Sequence, residues 1–415
     1  MRQSEVGMVP SDWQVVPLGS IMDFRNGVNA DKAAYGSGVA FINVLEVITK
    51  PHLHLADIPG RVALSKATID SYAVRRGDVL FNRTSETLEE VGLASVFLDD
   101  SQVVFGGFVI RGRPSANVLD PTYCGYGLRH PAVRSQLIAR GQGAIRANIG
   151  QADMRQVFVP LPPIEEQRAI ATALSDVDGL LAGLDALIAK KKALKQGAMQ
   201  QLLTGKQRLP GFKGEWVVRR LGELGSVYGG LTGKSKADFG TGNARYIPFM
   251  NIMQGPIIDT GFLEQVRVGA HESQNRAMKG DLFFNGSSET PEEVGMCSVL
   301  REDIPNLYLN SFSFAFRLQK DLKTDPMFLS YWFRSPAGRQ VIYSSAQGAT
   351  RYNLAKSNFL RLEVPCPSPE EQTAIAEVLS DMDAELGALE ARRAKTALLK
   401  QGMMQELLTG RTRLV

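Results

Sequence analysis

The chain has 415 residues, 44% apolar and 22% charged, with a formal net charge of +4. That length can bury more than one core, so two or more domains are expected, while the mild charge permits an anionic partner without demanding one. Three cysteines (Cys124, Cys297, Cys366) without paired spacing exclude a disulfide framework and point to a reducing compartment. The opening MRQSEVGMVPSDW lacks the apolar core of a signal peptide, and no 18-residue apolar run follows it. A cytoplasmic protein with no membrane segment is expected.

The first 159 residues carry short β-rich runs such as VVFGGFVIR, broken by Gly, Pro, Asn and Asp, together with short helical stretches. This mixture predicts an α+β domain over 1–159. A different pattern starts at Pro160. Residues 160–209 open with prolines and Glu-Glu-Gln, which suits a helix start, because proline cannot extend a helix backwards and carboxylates favour the positive end of its dipole. Ile170, Leu174, Val177, Leu181, Leu184 and Ile188 then recur at alternating steps of four and three, the seam of a coiled coil. A helix of about 38 residues would be roughly 57 Å long.

The period stops in GKQRLPGFKGEW (205–216), which reads as a linker. Beyond it the chain repeats itself. A second α+β domain is predicted over 211–364, and a second rod over 365–415, after a first rod over 160–210. With Pro160 laid on Pro365 and no gap, about 29 of 50 positions of the two rods match. The second seam is Ile375, Leu379, Met382, Leu386 and Leu389. Ser368 and Glu371 have the spacing of a capping box, with Pro369 at the first helical position. The globules repeat too. Trp13 with Leu18-Gly19 returns as Trp216 with Leu221-Gly222, RRGDVLFNRTSETLEEVGLASVF (75–97) as MKGDLFFNGSSETPEEVGMCSVL (278–300), and GQGAIRANIG (141–150) as AQGATRYNLA (346–355). Two such units joined by a short linker predict a pseudo-two-fold α+β protein whose rods pair as an antiparallel coiled coil.

The phrases GDVLFNRTSETLEEVG and GDLFFNGSSETPEEVG, AIRAN and ATRYN, and the PLPPIEEQ and PSPEEQ openings resemble one family, the specificity subunits of type I restriction–modification enzymes. The resemblance spans almost the whole chain, duplication included. It implies that each globule reads one half of a bipartite double-stranded DNA site. It implies further that the rods carry two adenine-methylating subunits, and that restriction (helicase-nuclease) subunits complete the enzyme. S-adenosylmethionine, ATP and Mg would then belong to those partners, and this chain would be no enzyme.

The residues themselves agree that the chemistry lies elsewhere. YGGLTGKS (228–235) puts Tyr228 where a phosphate-binding loop needs its first glycine. His52 and His54 could share a strand face, but no acidic or cysteine cluster accompanies them to complete a metal site. The Asn/Asp-Pro-Pro-aromatic tetrapeptide of amino-methyltransferases and the Gly-x-Ser-x-Gly elbow are absent. The rival reading is a duplicated coiled-coil scaffold without a DNA role, which composition and period alone do not exclude.

Candidates for DNA contact are polar side chains on loops: Arg83, Thr84 and Ser85 in the first globule, with Asn285, Ser287 and Ser288 as their counterparts. Arginine suits guanine and asparagine suits adenine in the major groove, while hydroxyls suit bases or phosphates. Gly286 in place of Arg83 would let the two half-sites differ. The alternative is a turn fixed by hydroxyl-to-backbone bonds. Arg146 and Asn148, with Arg351 and Asn353, are further candidates, against a bond network that closes each globule onto its rod. Lys234 and Lys236 would present charge from a Gly-rich turn. Lys190–Lys192 and Lys195, with Arg392, Arg393 and Lys395, are expected to complement a helix C-terminus or face solvent rather than to touch phosphate. Gly197 and Gly402 interrupt the rods, and close approach of the helices is the expected reason.

Overall fold

The computed structural model describes residues 1–143, 146–346, 348 and 351–414. Ala144 and Ile145 of the first arginine–asparagine phrase, and Ala349 and Thr350 of the second, lie outside the described residues. The chain divides into two compact units, Met1–Asp185 with Arg392–Val415, and Ala186–Ala391.

The first unit is built on a sheet of five strands in the order Met22–Asn26, Val109–Pro114, Val79–Asn82, Ala94–Phe97 and His52–Leu53. All neighbours are antiparallel except the last pair. Val79, Leu80, Phe81 and Asn82 are all buried, as expected of a central strand covered on both faces, and this explains why VLFN shows no alternation. One face packs with Leu18, Val133, Leu137 and Met154, the other with Ile42, Val47, Leu53 and Phe105. A second sheet orders Val103–Phe105, Tyr35–Ile42 and Arg61–Val62. The strand Gln14–Pro17 pairs with Phe158–Leu161, so the start of the globule is tied to the residues that lead into the rod.

The second unit repeats this plan. Its main sheet runs Gly225–Gly229, Ser313–Leu318, Leu282–Asn285 and Cys297–Val299, and its smaller sheet Glu264–Val266, Phe239–Ile247 and Leu307–Leu309. Val217–Arg220 pairs with Glu363–Cys366, as the matching strands do in the first unit. Phe284 sits in an aromatic knot with Phe314, Phe333 and Phe359.

The two rods are continuous helices, Ile164–Leu202 and Pro369–Leu407, each of 39 residues. Each unit holds the first part of one and the last part of the other. In the first unit, Ile170 and Leu174 pack with Leu407 and Leu408. In the second, Ile375 and Leu379 pack with Leu202 and Leu203. Within each unit the helices therefore run antiparallel. Ile170, Leu174, Leu184, Ile188, Ile375, Leu379 and Leu386 are buried, and Val177, Leu181, Met382 and Leu389 half-buried.

Three details of the rods depart from the sequence-based expectation. A Cβ added at Gly197 or Gly402 would meet nothing within 4 Å, so close helix approach does not account for these glycines. Ser368 Oγ accepts from the Glu371 amide at 3.3 Å, one half of the capping box. The Glu371 carboxylate, however, bonds Arg208 and Trp216 instead of returning to the cap. Finally, Lys190, Arg392 and Lys395 face solvent as expected, but the other four rod cations reach carboxylates on the opposite helix instead of complementing a C-terminus. Lys191 pairs with Glu385 at 2.6 Å, Lys192 with Glu390 at 2.7 Å and Lys195 with Asp383, while Arg393 meets Asp185 at 2.9 Å. Exposed pairs of this kind add little stability, but opposite charges facing across the seam favour one register.

Candidate nucleic-acid interface

In each globule the fold joins two phrases that are far apart in sequence. Thr84–Ser85 pairs antiparallel with Ala147–Asn148, and Ser287–Ser288 with Tyr352–Asn353. The resulting two-stranded ribbons bring Arg83, Thr84 and Ser85 to Arg146 and Asn148, and Ser287 and Ser288 to Arg351 and Asn353.

The bonding in the first ribbon separates scaffold from surface. Ser85 Oγ donates to Glu90 at 2.8 Å and accepts from the Thr87 amide at 3.3 Å, so this hydroxyl fixes the turn. Thr84 Oγ1 donates to Asn148 Oδ1 at 2.6 Å, and Asn148 Nδ2 donates to the Arg146 carbonyl at 3.0 Å. Arg83 is half-buried, with its guanidinium 3.3 Å from the Gly107 carbonyl. Arg146 lies exposed and meets the exposed Glu86 at 3.3 Å. Among the described residues this guanidinium is held by a solvated carboxylate alone, a partner it can exchange for a base or phosphate at small cost.

The second ribbon repeats the turn. Ser288 Oγ donates to Glu293 at 3.0 Å and accepts from the Thr290 amide at 3.3 Å. Asn353 Nδ2 donates to the Arg351 carbonyl at 3.2 Å. Asn285 is fully buried: its amide nitrogen donates to the Glu293 carbonyl and its oxygen accepts from the Met296 amide. These bonds, matched by Asn82 donating to the Glu90 carbonyl, make Asn285 a brace for the turn with nothing left for a base edge. Beside the ribbon lies an open hollow of about 350 Å³ lined by Phe249, Ser287, Ser288, Glu293, Phe312 and Arg351.

Lys234 is not presented on a free turn. Its ammonium meets Glu272 at 2.5 Å and donates to the Arg267 carbonyl at 2.7 Å. The lysine, with the Gly269 amide next, holds the Glu272 carboxyl down to about 2. Lys236 is exposed at the start of the short turn Lys236–Asp238.

Two constellations that the sequence reading did not single out hold the globules to the rods. Glu166 is buried; it accepts from Trp13 Nε1 at 2.8 Å and from Arg413, which also bonds Asp12 at 2.8 and 3.0 Å. Glu371 is its counterpart, held by Trp216 Nε1 at 3.1 Å and by two bonds from Arg208 at 2.5 Å. In both units the arginine comes from the end of one repeat and the glutamate from the start of the other. Part of the stretch that reads as a linker is thus a clamp. The neighbouring Gln167 and Gln372 accept from the amides of Asp120 and Asp325, both at 2.9 Å, which accounts for the rest of the Glu-Glu-Gln phrase.

The second constellation lies further along the rods. Tyr126 donates to Asp178 at 2.7 Å while Lys400 meets the same carboxylate at 2.5 Å; Tyr331, Asp383 and Lys195 repeat the arrangement. Burial, with the aspartate beside it, raises each tyrosine above its ordinary range. The available sequence signal was the recurrence of Trp, Glu, Tyr, Asp and Arg at matching positions of both copies.

The recurring plan is a globule that carries a polar ribbon and is tied to both rods, built twice in one chain. Comparison places it: residues 10–193 and 213–399 match the family model of the type I restriction modification DNA specificity domain, and the chain belongs to that family. It is 24% identical to the type I restriction enzyme MjaVIII specificity subunit of Methanocaldococcus jannaschii, over 98% of this chain and 94% of that one. Two solved structures share its fold. The S subunit of a type I restriction-modification system from M. genitalium is 16% identical with a TM-score of 0.57, over 95% of this chain and 96% of that one. The HsdS subunit from Thermoanaerobacter tengcongensis is 18% identical with a TM-score of 0.51, over 97% and 98%. Among the described residues no helix is long and apolar enough to cross a membrane.

Proposed function

We propose that the chain reads a bipartite double-stranded DNA site, one half per globule, and positions partner subunits that carry out the chemistry. The observation that carries this reading is the ribbon built twice in one frame with different side chains. Arg83 stands at one position and Gly286 at its equivalent, as two half-sites of different sequence would require. Arg83, Arg146, Asn148, Ser287, Arg351, Asn353 and Lys236 are the side chains assigned to DNA. Thr84, Ser85 and Ser288 hold the ribbons in shape. The rods, with their two clamped ends, form the docking surface for two adenine methyltransferase subunits, and restriction subunits join through them. S-adenosylmethionine, ATP and Mg bind those partners, in the cytoplasm.

The test is methylome sequencing of the source organism before and after disruption of this gene. Adenine methylation at a motif of two short sequences separated by an unspecified spacer should disappear and return on complementation. Methylation that is unchanged by the disruption would refute the proposal and leave the scaffold reading.

A further inference from the structure

Phe108 and Phe312 occupy one position of the duplicated frame, and both rings are mostly solvent-exposed, 60% and 67%. One exposed phenylalanine is unremarkable on any protein surface. Two at equivalent positions, each next to the ribbon, are a repeated feature. The Arg83 amide donates to the Phe108 carbonyl at 2.9 Å, and the Gly286 amide to the Phe312 carbonyl at 3.2 Å. The backbone therefore pins each phenylalanine to the residue that opens the hydroxyl turn. Each ring also borders a surface hollow shared with the first residue of a short helix, Val44 of Val44–Thr49 beside Phe108 and Phe249 of Phe249–Gln254 beside Phe312. The next residue of each helix is a second exposed apolar side chain, Leu45 or Met250. Neither ring adds to a core: the buried apolar clusters of both globules are complete without them.

A phenylalanine gains nothing from phosphate or from the polar edges of bases. The apolar parts that a duplex can offer it are the 5-methyl group of thymine and the face of a base at an opened step. We infer that Phe108 and Phe312 are base-contacting side chains of the two reading surfaces, each burying its ring against one of these apolar parts. The inference rests on the DNA-reading function proposed above. It adds to the polar readers of each half-site an apolar one, which is specific for its neighbours in sequence because the ribbon beside it fixes the register.

The test uses the full-length chain reconstituted with its methyltransferase subunits and a duplex carrying the methylome-defined motif. Phe108→Ala and Phe312→Ala should each weaken binding to the motif roughly 5- to 150-fold, the range of lost base–aromatic contacts. Leucine at either position should restore part of the loss, while assembly and binding to an unrelated duplex stay unchanged. Thymine-to-uracil substitution that weakens the wild type but not the alanine variant identifies the methyl group. A rise in 2-aminopurine fluorescence on binding, absent with the alanine variant, identifies the base face. Alanine variants that bind as tightly as the wild type would overturn the inference, as would weakened binding with no response to either probe. Loss of assembly with unchanged affinity per assembled complex would overturn it in favour of a protein contact. A wild-type complex that does not distinguish its motif from an unrelated duplex would instead refute the underlying function, and this inference with it.

Discussion

Leu379→Ala probes the rod seam where it is best defined. Leu379 has no solvent exposure and packs in one cluster with Leu202, Leu203, Phe328 and Trp332. Truncation leaves a cavity between two helices and a domain, so it should cost about 3–5 kcal/mol. In a unit of about 200 residues each kcal/mol lowers the melting temperature by about 2–4 °C, so a drop of roughly 6–20 °C is expected. Leu398→Ala, on the same helix but 69% exposed, is the control. Alanine propagates a helix at least as well as leucine, so the control should stay within about 0.5 kcal/mol. Calorimetry of both variants gives the answer. A Leu379→Ala loss under about 1 kcal/mol, or one equal to that of Leu398→Ala, would refute the seam. Leu174, equally buried against Leu407 and Leu408, provides the same test in the other unit.

Acid should weaken the first globule selectively. Burial lowers the pKa of both His52 and His130, and His130 Nδ1 accepts the Ala132 amide, a bond that protonation would break. The unfolded chain therefore binds protons first, so stability present above about pH 6.5 is lost as pH falls below it. Melting curves from pH 7.5 to 5.5 should show this slope, and His130→Asn should reduce it; a flat profile would contradict the assignment. Arg83→Ala should relax the recognised sequence at a position in one half-site only, with a loss of about 1–3 kcal/mol against the preferred base, measured by competition between duplex variants. Uniform weakening over all sequences would make Arg83 a phosphate contact. The purified chain alone should bind neither S-adenosylmethionine nor ATP in calorimetry, and micromolar stoichiometric binding of either would contradict a chain without chemistry of its own.

What could be read from the sequence was what is local or repeated. A seam every three or four residues follows from the helix period, so Ile170 to Ile188 and Ile375 to Leu389 declare themselves without knowledge of the partner. Duplication did the rest, by showing that two globules and two rods share one frame. The pairing of Glu166 with Arg413 and of Glu371 with Arg208 was hidden, because it joins the start of one repeat to the end of the other. Lys191, Lys192 and Lys195 misled for the same reason: their carboxylates lie on the other helix, in a register that the antiparallel packing sets. Asn285 looked like a reader because asparagine suits adenine, yet its burial behind the turn decides its role. Phe108 and Phe312 drew no attention as residue types. Only exposure singles them out, and exposure is a property of the fold.

The central claim, that each globule reads its own half of the site, is tested most directly by exchanging residues 1–159 for the matching domain of a relative with a different known motif. The hybrid's methylome should show one half of the motif replaced by the relative's half, with the other half unchanged. If both halves change together, or neither does, independent reading by the two globules is wrong.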